Sequence, residues 1–117
     1  KTLINNDVML GFSTDAPVEP LNPWETVYAA VARGYYEGIE LLKYTGSERV
    51  SVTETLHYYT YGSAYLLHEE HELGKLEPGY LADFIIINKD PLNIDDKELR
   101  DIKVLETYIG GQRMEQP

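Results

Sequence analysis

Apolar positions recur along this chain with two different periods, and the change from one to the other divides it. Val8-Met9-Leu10-Gly11-Phe12 is a short apolar run followed by Ser13-Thr14-Asp15-Ala16-Pro17. Such a run, bounded by turn residues, predicts a fully buried strand of the kind found in parallel sheets. Pro17, Pro20 and Pro23 then enforce an extended connection, since each lacks an amide donor and restricts the residue before it. Asn22-Pro23-Trp24-Glu25 predicts a helix start, with Asn as N-cap, Pro at the first helical position and Glu three residues after the cap. Trp24, Val27, Tyr28 and Val31 fall at i, i+3, i+4 and i+7, one apolar stripe, and Arg33-Gly34 supplies a stop. Residues 8–33 therefore read as strand, loop and helix.

Residues 34–50 are the least patterned, with Gly34, Gly38 and Gly46 leaving room for one helical turn over 39–42. Ser51-Val52-Thr53-Glu54 is a capping box. It predicts a helix to about Leu67, with Leu56, Tyr59, Ser63 and Leu66 on one face and Tyr58, Tyr61 and Tyr65 as an adjoining stripe. Tyrosines at this spacing fit a core edge or an interface better than a ligand site. After Gly74 the period changes. Residues 82–87 predict a strand between Pro78-Gly79 and the 88–91 turn, and 95–100 a short polar helix or turn. Residues 103–109 predict a second strand, turning at Gly110-Gly111 into a third over 112–115. The fold class is α+β: one strand–helix unit of α/β type, a second helix, and a small, mostly antiparallel sheet.

Charge narrows the partners. Twenty acidic residues against ten basic ones give a formal charge of −10, with no clustered basic patch. That field repels nucleic-acid backbones and anionic membrane surfaces. The absence of cysteine excludes disulfides, thiolate metal sites and thiol catalysis, and is compatible with the cytoplasm, the expected location. No apolar run of membrane-spanning length and no signal-peptide pattern is present. The chain opens on Lys1 rather than methionine, and the expectation is that this is an interior position of a longer protein.

Candidate chemistry is sparse. Asp15 directly follows the apolar run, where parallel α/β barrels place catalytic groups, and a carboxylate there can ligate a divalent metal or accept a proton from bound water. The same aspartate before Ala-Pro also suits a plain loop turn. His68 and His71 stand at i, i+3 among Glu69, Glu70 and Glu72, which is not the i, i+4 spacing of a helical zinc pair. They read as a solvated charge run, and His57 as an exposed position on the polar side of its helix. Ser13 and Thr14 lack a nucleophile-elbow context, and Gly110-Gly111 is a turn rather than a phosphate loop.

Taken together, these segments resemble the amidohydrolase superfamily, in particular its amidohydrolase-3-like branch of N-acyl and formamide-type hydrolases. Ser13-Thr14-Asp15-Ala16-Pro17-Val18 resembles that branch's Ser-Asp-Ala-Pro-Val signature after the eighth barrel strand, with Thr14 interposed. Residues 23–33 and Ser51-Val52-Thr53-Glu54-Thr55-Leu56, with Tyr59-Thr60 and Ala64, resemble its two following helices. Gly74-Lys75-Leu76-Glu77-Pro78-Gly79-Tyr80-Leu81-Ala82-Asp83-Phe84 is similar to the family's Gly-x-Leu-x-Pro-Gly-x-x-Ala-Asp turn, the most specific part of the match. Lys89-Asp90-Pro91-Leu92 and residues 104–111 complete it.

The resemblance implies a parent with a metal-dependent (β/α)₈ barrel and a small β-sandwich built from both chain ends. Residues 1–73 would be the C-terminal end of the barrel and 74–117 part of the composite sandwich. It implies hydrolysis of amide or other C–N bonds of a small molecule by water activated on a divalent metal, zinc being favoured by carboxylate and imidazole ligands. Asp15 carries over as metal ligand and proton carrier, while Asp83 would cap turn amides. The His-x-His pair, bridging Lys and later His ligands have no counterpart here. A barrel needs about 250 residues, so the isolated chain is expected to bind no catalytic metal and to be inactive. It is also expected to expose the apolar faces of its first strand and both helices and to form homo-oligomers. The competing reading is a stand-alone protein-binding or assembly module that uses the tyrosine-rich helix.

Overall fold

The computed structural model describes residues 1–115. A short helix α1 (Thr2–Asn5) precedes an extended segment over 8–15, which leads into α2 (Pro23–Ala32). A loop with one helical turn, α3 (Leu42–Thr45), and a 3₁₀ turn (Gly46–Glu48) leads to a composite helix. That helix comprises α4 (Val52–His57), a π turn (Tyr58–Gly62) and α5 (Ser63–Leu66). The C-terminal third holds β1 (Phe84–Ile87), a 3₁₀ turn (Asp96–Asp101), β2 (Val104–Ile109) and β3 (Gln112–Arg113), in the sheet order β1-β2-β3. Both pairings are antiparallel.

The two capped helix starts form as their sequences dictate. Asn22 Oδ1 accepts from the Trp24 amide at 3.2 Å, Pro23 takes the first helical position, and Arg33 closes α2 in the left-handed region at φ 48°. The Ser51 hydroxyl accepts from the Glu54 amide at 3.2 Å, and the Ser51 amide donates to Glu54 Oε2 at 3.0 Å. In the sheet, Phe84 opposes Tyr108 with rings stacked 4.5 Å apart, and the register shifts between Ile86 and Ile87. The Asp83 carboxylate accepts from the Gly110 amide at 2.6 Å, tying the Ala-Asp turn to the β2–β3 hairpin.

Trp24, Val27, Tyr28, Val31 and Ala32 of α2 form one core with Leu99 and Ile102 from the C-terminal third. Leu99, Val27 and Thr55 are the largest fully buried side chains among the described residues. Here the sequence expectations need correction. The stripe of α2 is not an exposed face, because the 96–101 turn packs onto it and Leu99 fills the gap. The expected helical turn over 39–42 lies instead at Leu42–Thr45. Leu66, grouped with Leu56, Tyr59 and Ser63 on one face of the second helix, is exposed, and the π turn interrupts the helix between them.

The strand expected over 8–12 is not formed either. These residues are extended, but among the described residues no strand lies beside them to complete a ladder. They bond to the side of the composite helix instead. Nor is the run fully buried, Val8 being 42% exposed: a strand needs a neighbouring backbone, and the burial expected of it needs the same neighbour.

Candidate functional site

Asp15 ends this extended segment and takes the left-handed conformation, φ 57°. That region is sparsely occupied by residues with a β-carbon, Asp and Asn being among the better tolerated. The carbonyl of Asp15 accepts the Val18 amide at 2.9 Å and, more loosely, the Glu19 amide at 3.4 Å. The backbone at 15–19 is thus a closed turn, and the Asp15 side chain has no hydrogen-bond duty in it. The turn reading of the sequence therefore holds for its backbone and leaves the carboxylate free for chemistry.

Ser13, Thr14 and Asp15 line an open groove of about 700 Å³ together with the 25–33 side of α2 and the trio Tyr28, Glu37 and Arg100. The trio is tightly wired. Tyr28 Oη donates to Glu37 Oε1 at 2.5 Å, Arg100 Nη2 donates to the same oxygen at 3.1 Å, and the guanidinium lies 3.8 Å from the Tyr28 ring centre. The Tyr28 hydroxyl, helped by Arg100, holds the Glu37 carboxyl below its ordinary range. Burial first, and the Glu37 carboxylate second, push the Tyr28 hydroxyl up. Asp15, Glu19, Glu25 and Glu37 oppose Arg33 and Arg100, so the groove lining is net acidic. Such a lining suits a neutral or cationic ligand better than an anionic one.

A catalytic metal normally has three or more protein ligands. Among the described residues no three His, Asp or Glu side chains converge. Asp15 offers one ligand, and the residues present do not by themselves fit a metal centre. The histidines do not complete one. His57 is exposed and packs its ring against Tyr58 and Tyr61, at 5.0 and 5.4 Å. His68 and His71 are exposed, and His71 Nε2 stands 3.7 Å from Glu70 Oε1, as a solvated charge run requires.

The sequence reading missed what holds the Asp15 segment in place. The Phe12 amide donates to the Tyr58 carbonyl at 3.0 Å, and the Phe12 carbonyl lies 2.9 Å from Ser63 Oγ. The available signal was the small pair Gly62-Ser63 inside a helix of large residues. Small residues in a helix mark a close approach of another backbone.

The chain resembles known proteins over nearly its whole length. The sequence model described as Amidohydrolase family matches residues 1–114. The chain belongs to the amidohydrolase family. It is 36% identical over 112 residues to YtcJ of Bacillus subtilis, provisionally named an amidohydrolase, covering 96% of this chain and 21% of that protein. It is 30% identical over 111 residues to an N-substituted formamide deformylase of Arthrobacter pascens, covering 95% of this chain and 20% of the relative. In structure it is similar to an uncharacterized metal-dependent hydrolase of Pyrococcus horikoshii, with a TM-score of 0.71 and 42% identity over 80% of this chain and 19% of that one. The amidohydrolase chain thus spans about a fifth of the length of the curated relatives it matches. No helix among the described residues is long and apolar enough to cross a membrane.

Proposed function

We propose that these residues are the C-terminal portion of a metal-dependent amidohydrolase that cleaves amide or other non-peptide C–N bonds of a small molecule. In that protein residues 1–73 complete a (β/α)₈ barrel and 74–117 belong to a composite β-sandwich. The family match over residues 1–114, with Asp15 at the end of an anchored segment beside an open groove, carries the reading. The formamide deformylase among the relatives supports C–N hydrolysis, and the metal-dependent neighbour supports a divalent metal, zinc in this proposal. Its other ligands come from outside these residues, so the 117-residue chain alone is inactive. The cytoplasm is the proposed location.

The contribution of this chain to the reaction is one carboxylate. Asp15 takes a proton from the attacking water and passes it to the leaving nitrogen, which would otherwise depart as a poor amide anion. The amides of Val18 and Glu19 are taken by its own carbonyl, so they do not compete for its carboxylate. The net acidic groove favours a neutral amide-type substrate over an anionic one.

The tyrosine-rich helix supports this reading over a stand-alone binding module. Tyr58 packs on Phe12, and Tyr61 packs on Tyr65 with Lys75 over its ring at 4.8 Å, so much of the stripe is engaged within the chain. The test is Asp15→Asn in a polypeptide that carries the upstream barrel sequence, assayed on N-acyl and N-formyl amines. Turnover should fall by about 10²–10⁴-fold with the thermal midpoint unchanged. A rate equal to that of the parent would remove Asp15 from the mechanism.

A further inference from the structure

The segment that ends in Asp15 is gripped three residues earlier, at Phe12, and the grip is built from an irregularity in a helix. In a regular α-helix each interior carbonyl points along the axis and is taken by the amide four residues on. Over Tyr58–Gly62 the helix widens into a π turn. There the Tyr58 carbonyl accepts the Phe12 amide from the neighbouring segment at 3.0 Å. The Ser63 hydroxyl lies 3.0 Å from that carbonyl and 2.9 Å from the Phe12 carbonyl. Having one proton, it donates to one of these oxygens at a time, and it bridges helix and segment when it donates to the Phe12 carbonyl.

Gly62 completes the seat. A β-carbon there would lie 2.1 Å from the Leu10 carbonyl oxygen, so any side chain would drive the segment off the helix. A β-carbon at Gly11 would meet Leu66 Cδ1 at 2.7 Å. Two backbones therefore meet at van der Waals distance, and both polar groups of Phe12 are spoken for. Beyond Asp15 the chain is closed by the turn to Val18. Asp15 is held between a fixed point behind it and a turn ahead of it. π turns inside helices are found frequently at functional sites.

We propose that Ser63 is a positioning residue for Asp15: its hydroxyl and the Tyr58 carbonyl fix the Phe12 backbone and so set where the Asp15 carboxylate stands over the groove. This rests on the proton-carrying role of Asp15 proposed above. Catalytic geometry is unforgiving, a displacement of about 1 Å costing on the order of 10²-fold in rate.

The test is a double-mutant cycle in the polypeptide that carries the upstream barrel, with kcat and KM measured for the parent, Ser63→Ala, Asp15→Asn and the double variant, and for Ser63→Thr. Ser63→Ala should lower kcat about tenfold, the equivalent of one lost hydrogen bond, and change KM by less than about twofold. Ser63→Thr, which keeps the hydroxyl, should recover most of that loss. With Asn already at position 15, Ser63→Ala should have no further effect on the residual rate, because the group it positions is gone. If Asp15→Asn is impaired as expected and Ser63→Ala still costs the same factor on top of it, Ser63 acts on the structure at large and the positioning role is overturned. An unchanged kcat in Ser63→Ala would overturn it equally. If Asp15→Asn itself turns over normally, the role assigned to Asp15 fails, and with it the reason to position it.

Discussion

Glu54 shows how much one side chain can be asked to do in a small protein. Its carboxylate accepts the Ser51 amide at 3.0 Å and the Ser51 hydroxyl at 2.9 Å, and it also pairs with the Lys1 ammonium. The Lys1 ammonium first, and the Ser51 amide and hydroxyl next, hold its pKa at about 2 against an ordinary 4.5. A carboxyl depressed in the folded state stabilises fully above its unfolded pKa, and that stability is lost as pH falls toward the folded value. Thermal melts should therefore show the midpoint dropping between about pH 4.5 and 2. Glu54→Gln should melt lower at pH 6, flatten the profile across that window and converge with the parent near pH 2. Glu48, held at about 2 by the Thr2 hydroxyl and amide and the terminal amine, titrates in the same window. The difference between the two profiles is thus the quantity that belongs to Glu54. A difference independent of pH would mean that the carboxylate's charge adds nothing.

At the scale of elements, the chain is tied together by α2 and the 3₁₀ turn at 96–101, which meet although some seventy residues separate them. Leu99 is fully buried against Trp24, Val27 and Val31. Leu99→Ala should cost about 3 kcal/mol in denaturant unfolding, from lost transfer energy and an unfilled cavity. Leu67→Ser, at an exposed site past α5, should stay within about 0.5 kcal/mol. A near-neutral Leu99→Ala would mean that the turn does not close the core. Local signals were legible wherever one residue decides a local hydrogen bond: Asn22 and Ser51 as caps, Gly110-Gly111 as a hairpin. Asp15 was read as the chemical candidate because it stands at the end of an apolar run, and it lines the groove beside α2. What escaped were contacts between distant segments. Nothing near Leu99 marks it as the lid of α2, and near Tyr58 only the small pair Gly62-Ser63 hints that another backbone is seated there. The apolar run at 8–12 was read as a strand because hydrophobicity reports burial, while a ladder depends on which backbone arrives beside it.

For the whole molecule, the surface is larger than the mass calls for. The accessible area is 8026 Å² for a 13.4 kDa chain, where a compact monomer of that mass would expose about 6,500 Å². The Cα radius of gyration is 15.1 Å, against about 13.4 Å for a compact chain of this length. The excess area, about 1,500 Å² by difference, is on the scale of a standard protein–protein interface. It is accompanied by apolar side chains in two places. Leu66 and Leu67 are exposed at the end of the composite helix, and Ile85, Ile86 and Ile109 are exposed on the sheet. In the longer protein proposed above, the upstream chain would cover such surface. In its absence, copies of the 117-residue chain should cover one another, since apolar patches of this extent associate in water. The formal charge of −10 opposes that association over a screening distance of about 10 Å at 0.1 M salt, so added salt should strengthen it. Light scattering across protein concentration should give a mass rising above 13.4 kDa, and rising further in high salt. Ile86→Lys together with Leu67→Glu should shift the mass back toward the monomer without lowering the thermal midpoint, because both positions are already exposed. A monodisperse monomer at every concentration and salt would mean that this open surface is tolerated in water, and the case for a missing cover would then rest on the length of the relatives alone.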